Sequence, residues 1–110
     1  MRILILEDDP LIALDLQMIL ESSGHEVIEV CDSVAAADGK LGCDFDFALL
    51  DIDLPDGKSF GLAARLDEER IPFAFVSASV EAELPAHLRH ARFIPKPYRP
   101  AAIVNSLRTQ

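Results

Sequence analysis

A chain of 110 residues with a formal net charge of −9 and a half-hydrophobic composition sets early limits. The length suggests a single domain over 1–110 with a core of its own, and the apolar content speaks against disorder. The acidic balance argues against nucleic acid as a direct partner, because phosphate backbones are held by Lys and Arg.

The opening stretch MRILILEDD has one Arg and a short apolar run before three acids. It lacks the longer apolar region and cleavage site of a secretory signal. No apolar run approaches the ~20 residues of a membrane helix. We therefore expect a cytoplasmic protein that is not a membrane partner. Within this stretch RILIL, 2–6, reads as a first strand.

Residues 10–22, PLIALDLQMILES, follow as a helix. Asp9 is placed to cap it, Pro10 fits its first position, and Gly24 should stop it. Leu11, Leu14 and Met18 recur at helical spacing. Core burial is the first explanation, and a docking stripe for a kinase or phosphotransfer helix the second. EVIEV, 26–30, is the second strand and 33–40 a short helix. FALLDI, 47–52, is the third strand. A helix over 59–69 follows, with Ser59 as a plausible cap. PFAFVSA, 72–78, is the fourth strand, and 80–90 a fourth helix that Pro85 should restrict or kink. RFIPK, 92–96, and a helix over 100–108 complete the chain. Cys31 and Cys43 show no metal-like spacing.

Several strands are near-continuous in Ile, Leu, Val and Phe, as in strands buried on both faces. Strand and helix alternate five times. This predicts an α/β, flavodoxin-like doubly wound parallel sheet of five strands, order 2-1-3-4-5, with helices on both faces.

Ligands in such sheets sit beyond the carboxyl ends of the strands. Glu7, Asp8 and Asp9 follow the first strand. Asp51 and Asp53 follow the third, Ser77 and Ser79 the fourth, and Lys96 the fifth. Glu7, Asp8 and Asp51 together would repel one another unless a cation enters. Their hard oxygens suit Mg²⁺. With Lys96 also present, the site approaches neutrality and can take a phosphoryl group on a carboxylate. Ser77 would donate a hydrogen bond to it. Taken singly, Asp9 reads as a cap, Asp56 as a turn residue before Gly57, and Lys96 as a surface lysine. The joint placement favours a site.

The motifs ILILEDDP, LLDIDLPDG, FVSAS and FIPKPY, in that order, resemble a response-regulator receiver domain of two-component signalling. The resemblance covers essentially the whole chain. It implies that Asp51 is the phospho-acceptor. Asp8 would be the direct Mg²⁺ ligand, Glu7 would act largely through water, and Asp53 would offer its backbone carbonyl. Ser77 and Phe93 would be the switch residues and Lys96 the phosphate-contacting lysine, with a cis Lys96–Pro97 bond. The donor would be a histidine kinase or histidine phosphotransfer protein, with a downstream protein partner possible. The chain would catalyse its own phosphotransfer and dephosphorylation without being a turnover enzyme.

The segment from Ser77 to Lys96 is shorter than receivers usually have, and His90-Ala91-Arg92 replaces the usual Gly-Ala. The common output face is therefore not assumed. With Gln110 close behind the last helix, the expectation is a stand-alone receiver without an effector domain, the alternative being a piece of a longer protein. Two other functions stay open. Asp51-x-Asp53 resembles the DxD of haloacid-dehalogenase-type phosphatases, although there it ends the first strand. A degenerate receiver could act as a phosphorylation-independent binding module.

Overall fold

The computed structural model describes residues 1–108. Five parallel strands form the central sheet in the order β2-β1-β3-β6-β7. They are β1 (Arg2–Leu6), β2 (Glu26–Cys31), β3 (Phe47–Leu50), β6 (Phe73–Ser77) and β7 (Arg92–Pro95). This is the expected 2-1-3-4-5 arrangement, with one addition. Residues beyond β3 form a small antiparallel hairpin of β4 (Asp53–Leu54) and β5 (Gly57–Lys58). Gly57 takes φ +135°, which a side chain at this turn would oppose.

Side-chain alternation along β1 divides the core. Ile3 and Ile5 pack with Leu16 and Leu20 of α1 (Pro10–Ser22) and Ile103 of α4 (Pro100–Asn105). Leu4 and Leu6 face the other way, toward Ala37 of α2 (Val34–Asp38) and Leu62 and Leu66 of α3 (Phe60–Glu68). Helices thus cover both faces.

Helix α1 obeys its sequence signals. Asp9 accepts hydrogen bonds from the Leu11 and Ile12 N–H groups at 2.9 and 3.4 Å. At the other end Gly24 sits at φ +88°, with His25 N–H donating to Leu20 and Gly24 N–H to Glu21. This paired closure satisfies the last carbonyls. Ala13, Leu16 and Leu20 are the buried residues. Leu11, Leu14 and Met18 are 77%, 54% and 59% exposed, so core burial does not explain them.

Two expectations are corrected. Residues 80–90 form no α-helix. They make two 3₁₀ turns, Glu81–Glu83 and Ala86–Leu88, separated by Leu84 and Pro85. Pro85 has no N–H to donate, and it holds Leu84 in extended backbone at ψ 134°. Leu84 and Leu88 are still buried against the α3 face, and Arg89 ties the segment by donating to the Leu84 carbonyl at 3.1 Å. Ser59 occupies the capping position of α3 but makes no side-chain cap. Its hydroxyl is used elsewhere.

Candidate functional site

The site lies at the carboxyl ends of β1, β3, β6 and β7. The fully buried Leu6 delivers the chain to Glu7, whose N–H donates to Cys31 at the end of β2. β3 ends at Leu50, and the Asp51 N–H donates to the Leu6 carbonyl at 2.9 Å. This backbone bond sets Glu7 and Asp51 side by side. The buried Ser59 hydroxyl donates to the Asp51 carbonyl at 2.5 Å, fixing the Asp51 loop from the start of α3.

Lys96 closes the arrangement. Its N–H donates to the Ser77 carbonyl at 2.9 Å, which locks the end of β7 to the end of β6. Its amine donates to Glu7 Oε1 at 2.7 Å and to Asp51 Oδ2 at 3.0 Å. Asp51 Oδ1 accepts from the Ile52 N–H at 2.7 Å, and Glu7 Oε2 accepts from the Asp9 N–H at 3.1 Å. Glu7 follows β1, Asp51 follows β3 and Lys96 follows β7, yet the acids and the amine are one cluster.

Electrostatics follow from burial. Glu7 is 3% exposed, and loss of water pushes its carboxyl above the usual 4.5, against the opposing pull of Lys96. Burial works against the charge on Lys96, but the hydrogen bonds it donates to Glu7 and Asp51 outweigh it and raise the amine above 10.5. The pair therefore supports an ionised lysine in a partly dry setting. Carboxylate oxygens of Glu7, Asp8 and Asp51 all lie within 4.8 Å of one another. Asp8 is exposed and the other two are buried, so the cluster opens to solvent on one side. All-oxygen donors, net negative and open to solvent at Asp8, fit Mg²⁺.

The remaining expected residues surround this core. Ser77 is buried, and its hydroxyl accepts from the Ser79 N–H at 3.1 Å. Phe93 is half-buried on β7, opposite Phe75, and packs toward the α3 face. The Lys96–Pro97 bond is cis. Asp53 opens the hairpin, and its side chain pairs with Lys58 and accepts from Ser79 Oγ at 2.6 Å. These two contacts hold the Asp53 carboxyl below its usual range, Lys58 contributing most. Asp56 is more than a turn residue: its two oxygens accept from Val34 and Ala35 N–H at 2.9 and 3.0 Å, capping α2 from a distant segment.

The sequence from residue 3 to 108 matches the response regulator receiver domain. The chain belongs to that family. The receiver is 37% identical over 112 residues to the phyllosphere-induced regulator PhyR of Methylorubrum extorquens, covering 93% of this chain and 40% of PhyR. It is 40% identical over 73 residues to the transcriptional regulatory protein TcrA of Mycobacterium tuberculosis, covering 64% of this chain and 28% of TcrA. The non-phosphorylated HemR receiver domain from Leptospira biflexa superposes with a TM-score of 0.80 at 32% identity, covering 96% of this chain and 90% of that one. The receiver thus spans less than half the length of either regulator. The phosphohydrolase alternative gains no support from these relatives. Among the described residues no helix is long and apolar enough to cross a membrane.

Sequence reasoning missed Ser59 and Lys58 as site neighbours. Ser59 carries a signal, a hydroxyl shortly after Asp51, but it reads as a helix cap. Lys58 carried none.

Proposed function

We propose that this receiver is a Mg²⁺-dependent phosphorylation switch, charged at Asp51 by a histidine kinase or histidine phosphotransfer protein. One observation carries the reading: the Lys96 amine lies within hydrogen-bond distance of both Asp51 and Glu7, beside Asp8. Glu7, Asp8, Asp51 and the Asp53 backbone carbonyl would hold the ion. Bound there, Mg²⁺ would supply positive charge for the phosphoryl oxygens.

The chemistry asked of the chain itself is modest. An Asp51 carboxylate oxygen attacks phosphorus, forming a P–O bond as the donor's P–N bond breaks. The electron pair leaves on the histidine nitrogen. Lys96 stabilises charge on the phosphoryl oxygens, in the manner general to in-line phosphoryl transfer. For Ser77 to donate to the phosphoryl group, its loop shifts and Phe93 turns inward to fill the space left behind. That is a population shift between two conformations. Water later reverses the labelling, so each chain turns over only its own phosphate.

The exposed Leu11, Leu14 and Met18 on α1 support a protein donor, because they offer an apolar stripe next to the acidic loop. Such a donor would meet the receiver in the cytoplasm. A downstream protein partner would then read the switched state, in keeping with the regulator relatives.

The test is labelling by a small phosphodonor. We expect one phosphoryl group per chain with Mg²⁺, none after chelation, and none in Asp51→Asn. Unchanged labelling of the Asn variant would refute the assignment. Partner binding indifferent to labelling would favour the degenerate module instead.

A further inference from the structure

Lys96 is held on its upstream side by β7 pairing with β6. Its downstream side has a different anchor. The chain turns through Pro97 to Tyr98, whose ring packs against the core beneath α1 and α4. The Tyr98 hydroxyl emerges from that core and donates to Asp15 Oδ2 at 2.7 Å. Burial, and then the Asp15 carboxylate, push the Tyr98 phenol well above its usual range, so it remains a donor.

Asp15 is an exposed residue of α1. It lies four residues after Leu11 and three before Met18, spacings that put side chains on the same side of a helix. It therefore borders the apolar stripe. A groove of about 390 Å³ continues from Asp15 and Met18 to Pro100 and Val104 of α4. The Tyr98 hydroxyl links this face to the turn that carries Lys96.

We propose that Tyr98 and Asp15 form a positioning pair, which fixes the turn aiming Lys96 at Asp51 and couples contact on the outer face of α1 to the phosphoryl site. The proposal rests on the phospho-switch reading above and adds a residue pair that touches neither metal nor phosphate. A partner lying on Leu11, Leu14 and Met18 covers Asp15. Covering strengthens the hydrogen bond by removing competing water, which steadies Lys96 at the moment of transfer.

The experiment measures the rate of labelling by a small phosphodonor at saturating Mg²⁺, at a temperature where every variant is folded by circular dichroism. Tyr98→Phe keeps the packed ring and deletes the hydroxyl. We expect its rate to fall about two- to tenfold, the worth of one net hydrogen bond. Asp15→Ala should match it. Asp15→Asn, which keeps an acceptor oxygen, should recover most of the rate. The double variant Tyr98→Phe with Asp15→Ala should be no slower than either single one, because both remove the same bond. Lowered melting temperature with wild-type labelling rates would make the pair merely structural and overturn the proposal, as would losses that add in the double variant. A wild-type chain that takes no label sinks the phospho-switch reading and this pair with it. A labelled wild type with unaffected variants sinks the pair alone.

Discussion

Two prolines sit in segments that read alike as helices, and the outcomes are opposite. Pro10 opens α1, where its missing N–H would have had no partner anyway, and the helix runs for 13 residues. Pro85 falls in the middle of 80–90, and that segment breaks into two 3₁₀ turns. Leu16 and Leu20 of α1, and Leu84 and Leu88 of 80–90, are pairs four residues apart, and both pairs are buried. Apolar spacing alone brings these four leucines inside in both segments. Whether the backbone between them is a helix depends on where the donors are lost.

The comparison can be broken first at its buried leucines. Leu20 in α1 and Leu88 in the second turn are each 0% exposed. Leu20→Ala and Leu88→Ala should each cost about 2–5 kcal/mol in denaturant unfolding. A surface-like loss at Leu88 alone would mean that the turns are loosely attached. Next comes the tie that replaces helical bonding. Arg89→Met removes the bond to the Leu84 carbonyl and should cost about 1 kcal/mol, with faster amide exchange confined to 80–91. Asp9→Ala tests the matching device on α1, and its thermal unfolding should show a loss of about 1 kcal/mol.

The smallest effect concerns α2, a helix of five residues capped by Ser33 and by the remote Asp56. The Ala35 N–H, then the Val34 N–H, hold the Asp56 carboxyl below its ordinary 3.8. A depressed acid gives its support above 3.8 and loses it as pH falls through the lower folded value. Backbone chemical shifts should therefore show α2 loosening in that acid range before α1 does. Simultaneous loss of both helices would remove Asp56 from the account.

Most of the architecture could be read from the residues, because it rests on local rules. The near-continuous runs RILIL and FAFVS announced buried parallel strands, and Asp9, Pro10 and Gly24 bounded α1 correctly. The acids and Lys96 were legible as strand-end residues, and the structure brings Glu7, Asp51 and Lys96 into contact. What stayed hidden depends on partners far along the chain. Asp56 looks like a turn residue until α2, some twenty positions earlier, is found resting on it. Ser59 looks like a cap until the Asp51 carbonyl competes for its hydroxyl. The bond from Tyr98 to Asp15 crosses most of the sequence, and neither residue signals it. Residues 80–90 misled because burial and helix formation usually travel together, and Pro85 separates them.

Glu7 and Lys96 are 89 positions apart in sequence, yet their side chains touch. During synthesis the acids leave the ribosome long before the lysine does. Until the last strand docks, the cluster holds mutually repelling carboxylates and no amine to balance them. A chain lacking β7 would hold the acids without the amine that pairs with them.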